Sequence, residues 1–112
     1  MSSTQRESSR IAALDVADAV ASGRLGIIEG CRSLSTLAHD LVPDWRVDED
    51  FVVFGAVNSE TDALPTGTAR QYWDSAALSR EDVNIERAEA LYREQVVSAC
   101  RNVIKRFKDA HF

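Results

Sequence analysis

The chain has 112 residues, 45% of them hydrophobic and 28% charged, with a formal net charge of −5. This is ordinary globular composition, the length predicts one domain over residues 1–112, and a chain of this size builds a core without disulfides or metal. No apolar run approaches 18 residues and the polar N-terminus lacks a signal-peptide core, so we expect a cytoplasmic protein that does not enter the membrane.

The first predicted helix covers residues 4–22. Thr4 and Glu7 have the spacing of a capping box, and Gly23 stands at the favoured C-terminal position. Apolar residues cover much of the girth of this helix: Ile11, Ala13, Leu14, Val16, Ala17, Val20 and Ala21. Such a helix is either central in a bundle or shared with a second copy, so a homodimer through this face is one expectation.

The second predicted helix covers residues 25–42. Its apolar stripe consists of Ile27, Cys31, Leu34, Ala38, Leu41 and Val42. Gly26 and Gly30 weaken a helix by about 1 kcal/mol each relative to alanine. Because they lie four residues apart beside the stripe, we expect a neighbouring backbone to approach the helix closely there.

In the segment of residues 48–57, six of the last seven residues are apolar and several are β-branched or aromatic, which favours a strand by propensity. A strand needs a partner, however, and no second candidate strand occurs in the sequence. We therefore prefer a short buried helix capped by Asp48, with a strand paired across a dimer as the alternative.

Residues 58–74 contain the densest run of turn-forming and polar residues. Ser59 and Asp62 have capping-box spacing for a single helical turn, and Arg70, Tyr72 and Trp73 begin a short helix. An elaborate loop beside a bundle is where function is often found. The alternative is a connector in which Glu60 or Asp62 pairs with Arg70 and Trp73 plugs the end of the bundle.

The last predicted helix, residues 79–108, is the longest. Ser79 with Asp82 reads as a capping box, and Lys105, Arg106 and Lys108 suit the negative end of the helix dipole. The apolar stripe consists of Ile85, Ala88, Tyr92, Val96, Ala99, Cys100, Val103 and Phe107. One edge of this stripe is charged in the N-terminal half, at Asp82, Glu86, Glu89 and Arg93, which indicates a solvated end or a docking surface.

Acidic residues concentrate in the middle of the chain. Residues 44–62 hold six carboxylates against Arg46 alone, a local charge of −5, whereas residues 95–112 carry a net +3. An acidic surface repels nucleic acid and anionic membranes and steers a basic protein towards itself.

Catalytic and metal-binding motifs are not evident. Nucleophile elbows, phosphate-binding glycine loops and metal-ligand spacings are missing from the sequence, so we expect no cofactor and no metal. Cys31 and Cys100 each fall on an apolar face and are predicted to be buried free thiols.

The predicted fold is all-α: a compact bundle of three main helices, with one or two short helices and an ordered loop before a long C-terminal helix. The leading function is a non-enzymatic interaction protein that binds a basic protein partner. Its predicted contact residues are Asp48, Glu49, Glu60, Asp62, Glu86 and Glu89, with Arg70, Tyr72 and Trp73 as anchors.

In general character the chain resembles the small acidic helical proteins that bacteria use as immunity proteins or antitoxins. That resemblance implies an inhibitor or an accessory subunit, and it identifies no site. The alternative function is a small ligand-binding protein or enzyme, with a carboxylate and arginine site that joins Glu60, Asp62 and Arg70 to Glu86, Glu89 and Arg93.

Overall fold

A computed structural model describes residues 3–110 of the chain. It contains the helices α1 (Ser3–Ala21), α2 (Ile27–Leu41), α3 (Phe51–Glu60) and α4 (Ser75–Phe107), and the 3₁₀ helices Trp45–Val47 and Gly67–Tyr72. No strand occurs between residues 3 and 110, so the all-α prediction is confirmed.

The predicted C-terminal end of α1 agrees with the structure, whereas the predicted N-terminal cap does not. At the C-terminal end Gly23 has a φ of +82°, and the N–H groups of Arg24 and Leu25 both donate to the carbonyl of Ala19, which confirms the predicted glycine stop. At the N-terminal end the predicted capping box is wrong, because α1 already includes Thr4. The carboxylate of Glu7 instead accepts from the Arg10 guanidinium, a stronger charge-assisted partner than a backbone N–H.

The core lies where α1, α2 and α3 meet the C-terminal half of α4. From α4 the buried side chains are Val96, Ala99, Cys100, Val103 and Phe107. None of the first 21 residues of that helix, 75–95, is buried. With 33 residues at about 1.5 Å each, α4 runs the full 47 Å length of the molecule, so its N-terminal half extends beyond the core.

Of the two glycines at which we expected a close neighbour, only Gly30 has one, and it is a side chain rather than a backbone; Gly26 has an ordinary contact distance. A β-carbon at Gly30 would overlap the Val20 side chain of α1, which lets α1 and α2 pack tightly. A β-carbon at Gly26 would lie 3.5 Å from the Glu89 carboxylate of α4.

The ambiguous segment after residue 48 is a helix, as preferred. The Asp48 carboxylate accepts from the N–H groups of Asp50 and Phe51, both at 3.1 Å, and so caps the entrance to α3. On the inner side of α3 lie Phe51, Phe54, Gly55 and Val57, all buried. Its outer side is also apolar, but there Val52 and Val53 are half-buried and Ala56 is exposed.

The aromatic side chain that closes this region is Trp45, not Trp73. A β-carbon at Gly55 would overlap the six-membered ring of Trp45, so the indole lies directly on the backbone of α3. Trp73 is 39% exposed. Sequence patterns do not predict this contact, because the indole packs on a glycine, which has no side chain to contribute to an apolar stripe.

The longest helix begins four residues earlier than predicted. The Asp74 carboxylate accepts from the Ala77 N–H at 2.7 Å and is the N-cap of α4. Ser79, the predicted cap, lies inside the helix and donates to the Ser75 carbonyl at 3.0 Å. Asp82, its predicted partner, binds Arg70 instead, and the predicted turn capped by Ser59 is wrong because Ser59 belongs to α3.

The connector between α3 and α4 is fastened to α2. The Arg32 guanidinium donates to the carbonyls of Thr61 and Leu64, at 2.7 and 2.8 Å, and to the Thr66 hydroxyl. The Gly67 N–H donates to the Glu29 carboxylate at 3.1 Å. Side chains of α2 therefore hold this loop in place, in addition to the loop's own turn hydrogen bonds, such as that from the Leu64 N–H to the Thr61 carbonyl at 3.0 Å.

The contact between Trp45 and Gly55 gives a test of the packing. Gly55→Ala should lower the free energy of unfolding by about 1–3 kcal/mol, since the added methyl group overpacks the site. In a Trp45→Ala background the same change should be neutral or stabilise α3 by up to about 1 kcal/mol, because alanine is the better helix former. Urea unfolding of the four variants, followed by circular dichroism, measures this reversal of sign. An equal loss in both backgrounds would contradict the packing of the indole on α3.

Candidate interaction surface

Two of the six carboxylates between residues 44 and 62 are engaged by the end of α4. Arg106 donates to both oxygens of Asp48, at 2.8 and 3.0 Å, and to Asp50 at 3.3 Å. Asn102, one turn earlier, donates to the other oxygen of Asp50 at 3.3 Å. Asp50 is buried and only 12% of the Asp48 side chain is exposed, so these two acids hold α3 against α4.

Asp48 is stabilised in its ionised form. Burial by itself opposes ionisation, but the Arg106 guanidinium and the N–H groups of Phe51 and Asp50 together outweigh it and hold the pKa of Asp48 below its ordinary value. The sequence assigned Asp48 to partner binding, and the structure places it in a capping and ion-pairing position inside the fold.

The other four acids of this segment differ in their contacts. Asp44 accepts from the side chain and backbone of Arg46, at 3.0 and 3.1 Å. Glu49, Glu60 and Asp62 are exposed and form no ion pair with residues 3–110. With Arg106 added, six carboxylates face two guanidinium groups, so the region keeps a net charge of −4.

Of the three predicted anchor residues, Arg70 is bound within the chain, whereas Tyr72 and Trp73 are exposed. Arg70 donates to both oxygens of Asp82, at 2.8 and 3.2 Å, and to the Pro65 carbonyl at 3.2 Å. The hydrogen bonds from Arg70 hold the pKa of the Asp82 carboxyl below its ordinary value. Tyr72, by contrast, is 83% exposed and Trp73 is 39% exposed, so these two aromatic rings can contact a partner.

Glu89 has a structural contact that the sequence did not predict. Gly26, the N-cap of α2, has no side chain to cap the helix, and the Glu89 carboxylate accepts from the Ile27 N–H at 3.0 Å instead. Arg93 lies 3.8 Å from the same carboxylate. A carboxylate from α4 thus serves as the cap of α2 and complements the positive end of its dipole. Glu86, one turn earlier, is exposed.

The six residues of the alternative ligand site occupy separate places. Glu89 and Arg93 line a cavity of about 460 Å³ between the turn after α1 and the start of α2, while Glu60 lines a different groove between α3 and α4. Arg70 is paired with Asp82 on the connector. These residues are therefore not gathered around one cavity.

The groove beside Glu60 is lined mainly by apolar side chains. Its volume is about 220 Å³, and its walls are Val52, Val53, Ala56, Val57, Glu60, Tyr92 and Gln95. Glu60 is the only charged residue in that lining. The apolar pattern of residues 51–57 predicted a buried helix and does not distinguish the outer side of α3 from its inner side.

The two cysteines are buried free thiols, as predicted. Burial raises the pKa of Cys31 and of Cys100 to about 12, so neither is a reactive thiolate at neutral pH. Within residues 3–110 no group of three or more potential metal ligands comes together. Over the same range, no helix is both long and apolar enough to cross a membrane.

The apolar face of α1, which we considered for a homodimer, is largely buried in the core of the same chain. Ala13, Ala17 and Val20 are buried, and Leu14 and Val16 pack against the core. Ile11 is half-exposed and is the main apolar side chain left on this helix for a second copy.

Glu89 as the cap of α2 generates one prediction. Glu89→Ala should lower the free energy of unfolding by about 1 kcal/mol, the usual loss for a helix N-cap, and should speed amide exchange at Ile27. Glu94→Ala, an exposed position on the same helix, is the matched control and should change stability by less than about 0.5 kcal/mol. Equal effects of the two substitutions, measured by urea unfolding and amide exchange, would rule out the capping role.

The ion pair of Asp48 generates a prediction for pH. A carboxyl with a lowered pKa in the folded state adds stability above its unfolded pKa, about 3.9, and loses it as the pH falls through the folded value. Asp48→Asn should therefore destabilise the protein by about 1–2 kcal/mol at pH 7. The gap to wild type should shrink below about pH 4.

Urea unfolding between neutral and acidic pH measures this gap, with Asp62→Asn as the control at an exposed carboxylate. A gap that stays constant down to about pH 2.5 would contradict the ionic contact.

Comparison with known proteins places residues 2–103 in one family, described as "Protein of unknown function (DUF2489)". No curated protein and no solved structure matches the chain. The family match extends from the start of α1 to Val103 in the last part of α4, and so includes α3, its acidic flanks and the connector. The chain therefore belongs to the DUF2489 family of proteins of unknown function.

Proposed function

We propose that this protein is a non-enzymatic interaction protein that binds a basic protein partner through the acidic flanks of α3. The observation that carries the proposal is the set of three exposed carboxylates, Glu49, Glu60 and Asp62, which form no ion pair with residues 3–110. They flank a helix whose outer side is apolar. Charged groups around an apolar centre are the usual composition of a protein interface.

The charge that remains after internal pairing supports a basic partner. A net charge of −4 within residues 44–62 and Arg106 creates a negative field that speeds encounter with a positive surface and excludes acidic competitors. In this proposal Asp48 and Glu89 stabilise the fold and are no longer counted among the predicted contact residues. Glu86 remains in it as an exposed acid of α4.

Exposed aromatic residues on the connector support the same reading. Tyr72 is 83% exposed and Trp73 39% exposed, and rings of this kind contribute most of the binding energy where they occur in interfaces. Arg32 and Glu29 fix the preceding loop to α2, so these rings are presented by an ordered segment. A rigid presentation lowers the entropy lost on binding.

The most specific form of the proposal is an inhibitor of the immunity-protein or antitoxin type, or an accessory subunit, that acts in the cytoplasm. The two reduced thiols of Cys31 and Cys100 suit a reducing compartment. The ligand-binding alternative has weaker support, because Arg70 and Glu89 are already satisfied by Asp82 and the start of α2.

Charge reversal tests the proposal. Tagged wild-type protein is used to capture partners from its host at about 50 mM salt, and the captured basic protein is then titrated against variants. Glu60→Lys with Asp62→Lys should weaken its binding about tenfold or more, since both changes place positive charge against a positive surface.

The control changes net charge by the same amount elsewhere. Asp15→Lys with Glu94→Lys alters two exposed carboxylates on α1 and α4 that form no hydrogen bond with residues 3–110. Binding should change less than about threefold in this variant. If both double variants bind like wild type, or lose affinity equally, the proposed surface is wrong.

A further inference from the structure

We infer that the groove between α3 and α4 is the anchor site of this surface, and that it accepts one large apolar side chain flanked by lysine or arginine. The inference rests on the proposed function, because the cationic flanks are expected to meet Glu60 and its neighbours. It adds the sequence chemistry of the partner: an aromatic or branched aliphatic residue within a basic segment.

The outer side of α3 is the first support. A helix that is apolar on all sides is normally buried on all sides. Here Phe51, Phe54 and Val57 are buried, yet Val52 and Val53 are only half-buried and Ala56 is exposed. The half-buried Tyr92 of α4 forms the opposite wall. This strip of apolar surface would lose contact with water if a partner side chain entered the groove.

The size of the groove limits its occupant. A cavity of about 150 Å³ lined by apolar side chains binds benzene, so about 220 Å³ has room for one phenylalanine-sized or leucine-sized group. A whole helix needs a longer trough. The occupant is therefore a single projecting side chain rather than a packed helix.

The charge beside the groove indicates which residues would flank the apolar side chain in the partner. Glu60 is exposed, forms no ion pair with residues 3–110, and is the only charged residue in the lining. Asp62 lies two residues further on and is also exposed. A cation beside the apolar side chain would meet these carboxylates, whereas an acidic neighbour would be repelled.

Two capped peptides serve as probes for this site. One has the sequence Gly-Lys-Lys-Phe-Lys-Lys-Gly, and the other carries serine in place of phenylalanine. Each is titrated to about 2 mM into the isotope-labelled full chain, and amide chemical shifts are followed by NMR, which detects binding in the millimolar range.

The phenylalanine peptide should bind about fivefold more tightly than the serine peptide, and only it should shift the amides of Val52, Val53 and Ala56. Ala56→Gln, which places a polar side chain in the groove, should abolish that preference. The control Ala90→Gln, at an exposed alanine of α4 outside the groove, should retain it. Glu60→Gln should weaken both peptides and leave their ratio unchanged.

The outcomes separate this inference from the proposed function. Equal binding of the two peptides at the amides of Glu60 and Asp62, with no shift at Val52 or Ala56, would overturn the groove and leave the acidic surface intact. No shift anywhere in residues 49–62 with either peptide would overturn both. Retention of the phenylalanine preference in Ala56→Gln would also exclude the groove.

Discussion

The ion pairs between Arg106 and the carboxylates of Asp48 and Asp50 are the contact on which the arrangement of α3 depends. They join the last turns of α4 to the entrance of α3, while Asp48 also caps α3 through its backbone N–H groups. One guanidinium thus joins the end of α4 to two carboxylates that lie 58 and 56 residues before it in the sequence. At the other end of α3, Glu60 and Asp62 form no ion pair with residues 3–110.

The two halves of the long helix α4 differ: the C-terminal half contributes buried side chains to the core, and the N-terminal half contributes none. Its C-terminal half buries Val96, Cys100 and Val103, whereas its N-terminal half holds neighbouring segments by polar contacts. Glu89 caps α2 and Asp82 binds Arg70 of the connector. The charged edge recognised in the sequence is therefore in part a set of attachment points for other elements, and only its exposed members, such as Glu86, remain for a partner.

Local patterns predicted the helices well and the tertiary polar contacts poorly. The apolar stripes located α1, α2 and α4, and the lack of a partner strand correctly favoured a helix for residues 51–57. The start of α4 was misplaced because Ser79 and Asp74 both match a cap, and local spacing cannot show that Asp82 is taken by Arg70. The roles of Glu89 and Arg106 depend on residues 62 and 56 to 58 positions away, which no local pattern encodes. That of Trp45 depends on a glycine, which has no side chain to indicate a contact.

The central claim is that the outer side of α3 and its acidic flanks form the binding surface. Amide hydrogen exchange of the full chain, measured with and without the basic protein it captures, tests the claim most directly. Exchange should be slower in the complex across residues 51–62 and around Tyr92, and unchanged in α1. Protection confined to α1, or to the cavity beside Glu89 and Arg93, would contradict it.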